Sequence, residues 1–341
     1  MNKNLKIEYR RFLLDDFSNS PKCFETDFPD QKVRLIRHDN CGMILQKDNS
    51  PHYYFHNLDE YKSRWSGIIQ LGNGPFSLQS KLSGLKMNQN GDLENTYDIV
   101  SDSPKTYGVK SKNGIPFEFT YNEIGCHLVE GFNGGILDVE GEWFPIGLIC
   151  HMGSEYNIPF MHIPVHLKGL YKGKSIEMLA CIDRIFAPQG CENQIMKNAT
   201  SYVSSYCSGI REDGRKELLI ALQCHDNGHG LGLYWIEGDK PIISDEVYNE
   251  GIWEELPYVK DGTVVCKDIV WKFAGKEFHV KGLWGSKGFT EEPKLDRHGQ
   301  SQMFGTWHVG KKEYKHIIWN TFNENMEVYK DSMKSRGFFI K

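Results

Sequence analysis

The sequence predicts an all-β protein, and three observations carry that prediction. Turn signals recur about one strand apart over most of the chain, the runs between them are rich in Val, Ile, Tyr, Phe and Trp, and helical periodicity is scarce. Aromatics make up 13% of the 341 residues, with 16 Tyr, 19 Phe and 8 Trp against only five Ala, a balance that favours strands over helices. Short strands at this spacing build sandwiches or barrels.

Along the chain, the aromatic run Tyr53-Tyr-Phe-His56 reads as an early strand. The best helical candidate, a short one, follows at Asn57–Arg64. Turns then fall at Asn90-Gly-Asp, Lys112-Asn-Gly, Asn133-Gly-Gly and Tyr171-Lys-Gly-Lys. The stretch from Pro188 to Asn198 breaks the strand rhythm, and strands resume at Tyr202. This break and the chain length predict two domains, 1–192 and 193–341. The second domain repeats the pattern, with turns at Asp213-Gly, Asp226-Asn-Gly, Glu237-Gly-Asp-Lys, Asp261-Gly, Ala274-Gly-Lys and Val309-Gly-Lys-Lys. In Glu277–Trp284 the alternation is explicit: Phe278, Val280 and Trp284 share one face, and Glu277, His279 and Lys281 the other. No fixed short repeat marks a solenoid or propeller.

Composition narrows the function. A net charge of −5 leaves no excess of cations to neutralise phosphates, which argues against nucleic acid as a partner. No run approaches 18 apolar residues, so no membrane insertion is expected. The opening residues have no apolar core of the signal-peptide kind. Nine cysteines form no CxxC pair, and several sit inside apolar strands, as buried thiols of a reducing compartment would. A cytoplasmic location is the corresponding expectation. GxSxG, P-loop and HExxH motifs are absent, and Gly228-His-Gly-Leu-Gly232 lies in a hairpin with no helix after it. No cofactor is expected.

Five constellations could carry chemistry. In Ile176–Phe186, Asp183 shares a face with Leu179, Cys181 and Ile185, while Arg184 shares the other with Met178, Ala180, Ile182 and Phe186. An acid on an apolar face is costly to bury unless it is paired or used. Asp183 is thus either half of a structural ion pair or an acid in a dry cavity, able to protonate an apolar substrate. Trp143–Met152 ends in His151, four residues before Glu155: a core histidine, or an acid/base with Glu155 as its partner.

In Phe160–Lys168, a strand places His162, Pro164, His166 and Lys168 on one face. His162 and His166 would lie about 13 Å apart on that strand, too far to share a metal. His225-Asp-Asn-Gly-His-Gly230 puts two histidines beside a hairpin turn, with no further ligand to complete a metal site. Finally, Trp253, Trp271, Trp284, Trp307 and Trp319 read as core, with Trp307 as a candidate cavity wall that could stabilise a cation.

Three stretches carry a family resemblance. Tyr53-Tyr-Phe-His56 is similar to an early aromatic strand, Gly169–Phe186 to the hairpin that ends a first barrel, and Gly232–Lys240 to the opening hairpin of a second. Together they resemble the two-domain lipocalin-like superfamily that includes carotenoid 1,2-hydratase, AttH-type proteins and pericyclases of the same twin-barrel plan. Asp183 matches the family's acid, Cys181 stands where carotenoid hydratases have tyrosine, and Phe186-Ala-Pro stands where tryptophan is usual.

The resemblance implies two lipocalin-like antiparallel β-barrels or curved sheets. The expected function is cofactor-independent acid/base chemistry, a hydratase, isomerase or cyclase acting at a carbon–carbon double bond of a small hydrophobic molecule. Asp183 would be the proton donor, with His151 or Glu155 as its partner and Arg184 setting its charge. Trp307, Tyr156, His162 and Trp143 would contact the substrate. Two alternatives stay open: a non-catalytic carrier of a lipophilic ligand, and a metal-dependent hydrolase.

Overall fold

The computed structural model describes residues 7–10, 33–46, 51–59, 64–73, 81–88, 97–100, 107–111, 117–132, 135–152, 158–188, 202–224, 230–255, 264–285, 302–309 and 312–323. Among them every regular element is a strand. Asn57–Asp59, expected to open a helix, instead continue a strand whose residues His52 to His56 are all buried. Residues 60–63 of that candidate lie outside the described residues. No helix is long and apolar enough to cross a membrane among the described residues.

The chain falls into two compact units, Met1–Ile69 with Leu82–Ile195, and Gln70–Lys81 with Met196–Lys341. Its strands, in order, are β1 (Ile7–Arg10), β2 (Val33–Gln46), β3 (His52–Asp59), β4 (Arg64–Gln70), β5 (Gly72–Asn73), β6 (Lys81–Asn88), β7 (Tyr97–Val100), β8 (Tyr107–Ser111), β9 (Phe117–Tyr121), β10 (Gly125–Phe132), β11 (Gly135–Glu142), β12 (Gly147–Met152), β13 (Ile158–Tyr171), β14 (Lys174–Pro188), β15 (Tyr202–Ile210), β16 (Lys216–Cys224), β17 (Gly230–Ile236), β18 (Ile242–Ser244), β19 (Tyr248–Glu255), β20 (Val264–Phe273), β21 (Lys276–Gly285), β22 (Gln302–Val309) and β23 (Lys312–Asn323).

The first sheet runs β6-β4-β3-β2-β14-β13-β11-β10-β9-β8-β7, with β12 joining β13 and β1 joining β12. It is curled into a half-barrel. The second runs β18-β17-β16-β15-β23-β22-β21-β20-β19, with β5 pairing β21.

Both sheets are built on long hairpins closed by two-residue turns. Lys172 and Gly173 have φ of 53° and 72°, and Ala274 and Gly275 have 49° and 73°. Positive φ at both central residues is the primed turn whose twist matches the flanking strands, so the turn at Tyr171-Lys-Gly-Lys forms as expected. The tightness of these turns sets the register of β13 on β14, in which Tyr171 faces Lys174 and, further down, His162 faces Asp183.

On its other side β13 pairs first with β12, at Ile158–His162, and then with β11, at Lys168–Tyr171. Where β11 meets β13 the backbones nearly touch: a Cβ on Gly169 would lie 2.0 Å from the Asp138 carbonyl oxygen. Only glycine permits that approach.

The core of the first unit gathers Met178, Ala180, Ile182 and Phe186 of β14 with Met161, Ile163, Val165 and Leu167 of β13 and the aromatics of β9. The opposite face of the same strands is buried as well, through Cys181, Ile185, Cys41, Met43, Tyr53 and Phe55. The second unit has its own core around Trp271, Trp307, Phe273 and Phe278.

Candidate functional site

β14 lies between β2 and β13 and carries polar groups on both of its buried faces. Residues directly opposite in an antiparallel ladder share a face, with Cβ atoms about 5 Å apart. That rule brings His162 of β13 to Asp183 of β14. His162 Nδ1 and Asp183 Oδ1 form a hydrogen bond of 2.8 Å. His162 is 1% exposed and Asp183 7%. A carboxylate removed from water in this way needs a partner, and the imidazole supplies it.

Cys181, two residues before Asp183 on the same face, donates its thiol to the same oxygen at 3.3 Å. Burial, and then the charge and hydrogen bond of Asp183, push the Cys181 thiol well above its usual range. Beside Asp183 and its apolar neighbours, Cys181 is a thiol that donates to Asp183 and not a thiolate nucleophile. The His162 ring lies against Phe160, with centroids 4.2 Å apart.

Along β13 the face carrying His162 changes character. Near the hairpin tip, His166 and Lys168 reach the solvent and pair with Glu177 at 3.8 and 3.7 Å. The alternation that makes this a polar outer face holds for the tip. At the base the same face is covered, and His162 becomes a buried partner of Asp183.

A second polar cluster sits on the core-facing side of the first unit. Tyr54 donates its hydroxyl to Glu130 Oε2 at 2.7 Å, and His56 Nδ1 lies 3.0 Å from the same oxygen. His56 stacks on Phe117 at 4.0 Å. The sequence held a sign of this cluster, because Glu130 interrupts the apolar face of Cys126, Leu128 and Phe132 just as Asp183 interrupts its own. The second unit repeats the device: Tyr234 donates to Glu217, which Arg211 also reaches at 3.4 Å. Recurrence in both cores marks the tyrosine–glutamate pair as a structural tie, satisfying a buried carboxylate inside each sheet. The His162–Asp183–Cys181 group has no such counterpart among the described residues of the second unit.

The other expected site residues separate. Arg184 is fully buried on the face opposite Asp183, its guanidinium carbon 5.2 Å from the centroid of Phe186 and 5.6 Å from that of Tyr121. Strand alternation thus aims it into the core, away from the acid whose charge it was expected to set. Trp143 is half-buried against the first core, its Nε1 donating to the Asn122 carbonyl at 2.6 Å. Trp307 is fully buried in the second unit's core, its Nε1 donating to the Ser208 carbonyl at 3.2 Å. His151 is described only through its backbone, opposite Pro159 in β12. Glu155, Tyr156, His225 and His229 lie outside the described residues. Of the expected set, the structure joins Asp183 and His162.

No known protein family and no curated protein matches the sequence. Solved structures do match. A putative AttH protein from Nitrosomonas europaea is 11% identical, aligned over 84% of this chain and 92% of its own, with a TM-score of 0.51. Kievitone hydratase from Nectria haematococca is 10% identical, over 85% of this chain and 89% of its own, with a TM-score of 0.49. The likeness to the AttH structure shows a shared fold, all-β and lipocalin-like.

Proposed function

We propose that this lipocalin-like chain is a cofactor-independent acid/base enzyme acting on a small hydrophobic molecule at a carbon–carbon double bond, with Asp183 and His162 as its working pair. The observation that carries this reading is the buried 2.8 Å contact between His162 Nδ1 and Asp183 Oδ1, flanked along β14 by the buried Leu179, Cys181 and Ile185, with Asp39 of β2 standing opposite Asp183 in the ladder. A carboxyl and an imidazole within hydrogen-bond reach can give and take a proton in one site. Low dielectric around them strengthens each electrostatic interaction they make.

The chemistry follows from those two groups. The Asp183 carboxylic acid gives up its O–H proton, and the π electrons of the double bond form the new C–H bond. The carbocation left on the neighbouring carbon is completed in one of two ways. Water adds and His162 takes its extra proton, giving hydration, or His162 removes a proton from an adjacent carbon, giving isomerisation. The Phe160 ring beside His162 offers a π-face to the cation.

The test starts from the purified protein. Apolar molecules that copurify are extracted, identified by mass spectrometry and returned to the protein in deuterated water. The expected result is deuterium fixed at a carbon position of the molecule or its product. A molecule that binds and is recovered with no deuterium at carbon would sink the enzyme reading and leave a carrier.

A further inference from the structure

The group His162, Cys181 and Asp183 also matches a different chemistry. Each offers one ligating atom, Nδ1, Sγ and a carboxylate oxygen, and these atoms all lie within 4.8 Å of one another, with all three residues buried. We infer that this triad is a binding site for a single thiophilic divalent cation of the zinc or cobalt type. The inference does not depend on the acid/base reading, because binding can be measured without any substrate.

The donor set fits the ion. Imidazole nitrogen, thiolate sulfur and carboxylate oxygen are the ligands zinc takes, at about 2.0–2.3 Å. Tetrahedral angles with those bonds set donor atoms roughly 3.4 Å apart. The Sγ–Oδ1 separation is already 3.3 Å, and Nδ1–Oδ1 would open from 2.8 Å. The positions now taken by hydrogen-bonded protons are thus close to those an ion would link.

Proton balance is simple. Cys181 releases its thiol proton to solvent and becomes thiolate, while the imidazole presents the Nδ1 lone pair with its proton on Nε2. Thiolate and carboxylate together cancel the two positive charges of the ion, and a further acidic residue, Asp39 of β2, stands opposite Asp183 in the ladder. A neutral cluster costs far less to bury than a bare ion.

The scaffold favours precision. Cys181 and Asp183 stand two apart on one strand face, and His162 is fixed opposite Asp183 by the ladder. Sites carried on strands hold their geometry better than sites on loops. Cys41 of β2 stands directly opposite Cys181, so a second thiol adjoins the set. The Asp183 side chain keeps 10% of its surface exposed, which leaves a way in.

The experiment is titration of the full-length protein, with its cysteines reduced and oxygen excluded, with cobalt(II). The expected result is a saturable near-ultraviolet thiolate-to-cobalt band at one ion per chain, displaced by zinc. Cys181→Ser should lose the band while keeping the wild-type far-ultraviolet circular dichroism, and Cys126→Ser, a change at a buried thiol of the other face, should keep it. The absence of a thiolate band in the wild type at large cobalt excess overturns the inference. So does a band that persists at full strength in Cys181→Ser.

Discussion

Asp183→Asn is expected to slow deuterium incorporation at carbon by about 10²- to 10⁴-fold, the usual contribution of a positioned acid or base. The change is small in shape. Asparagine keeps an oxygen that can accept from His162 Nδ1 and Cys181 Sγ, the two contacts made by Asp183 Oδ1. What it loses is the ability to give and take a proton. A residue serving only as a tie between β13 and β14 would therefore show a shift in melting temperature and little change in turnover per folded molecule. The measurement is initial rate against the folded fraction of the same sample. Wild-type turnover in folded Asp183→Asn would remove Asp183 from the chemistry.

Trp307→Ala is expected to destabilise the protein by about 3–5 kcal/mol, the range for truncating a large buried aromatic. Trp307 is fully buried among the core residues of its unit, and its indole donates to the Ser208 carbonyl. Truncation both opens a cavity and leaves that carbonyl without its indole donor. Denaturant titration reads the effect as a lower midpoint in a transition of the second unit. A loss of less than about 1 kcal/mol, together with a change in ligand affinity, would restore Trp307 as a cavity wall and contradict its place in the core.

The fold was legible because its signals are local. The Lys172-Gly173 turn needs two residues at positive φ, and the alternation of Met178, Ala180, Ile182 and Phe186 against Leu179, Cys181 and Ile185 follows from the pleat alone. Both appear in the structure. The partner of Asp183 was not legible in the same way. Nothing local in Phe160–Lys168 separates His162 from His166, because the two share a face and differ only in how far along a long strand they sit. Register and the covering of the strand base decide it, and both are long-range properties.

For Arg184 the decisive signal is local: alternation puts it across the strand from Asp183, so adjacency in sequence does not bring its charge to the acid. Glu130 carried the same sequence signal as Asp183, an acid on an apolar face, and its partners Tyr54 and His56 come from a strand more than seventy residues earlier.

The most direct test of the account is nuclear magnetic resonance of the imidazole protons in protein labelled with ¹⁵N-histidine. The hydrogen bond between His162 and Asp183, buried and shielded from exchange, should give a far-downfield proton resonance in the wild type. A second such signal should come from His56 against Glu130. Asp183→Asn should abolish or strongly shift the first and leave the second in place, whereas Glu130→Gln should do the reverse. A spectrum in which no protected imidazole signal responds to Asp183→Asn would contradict the pairing, and with it both the acid/base site and the cation site built on the same three residues.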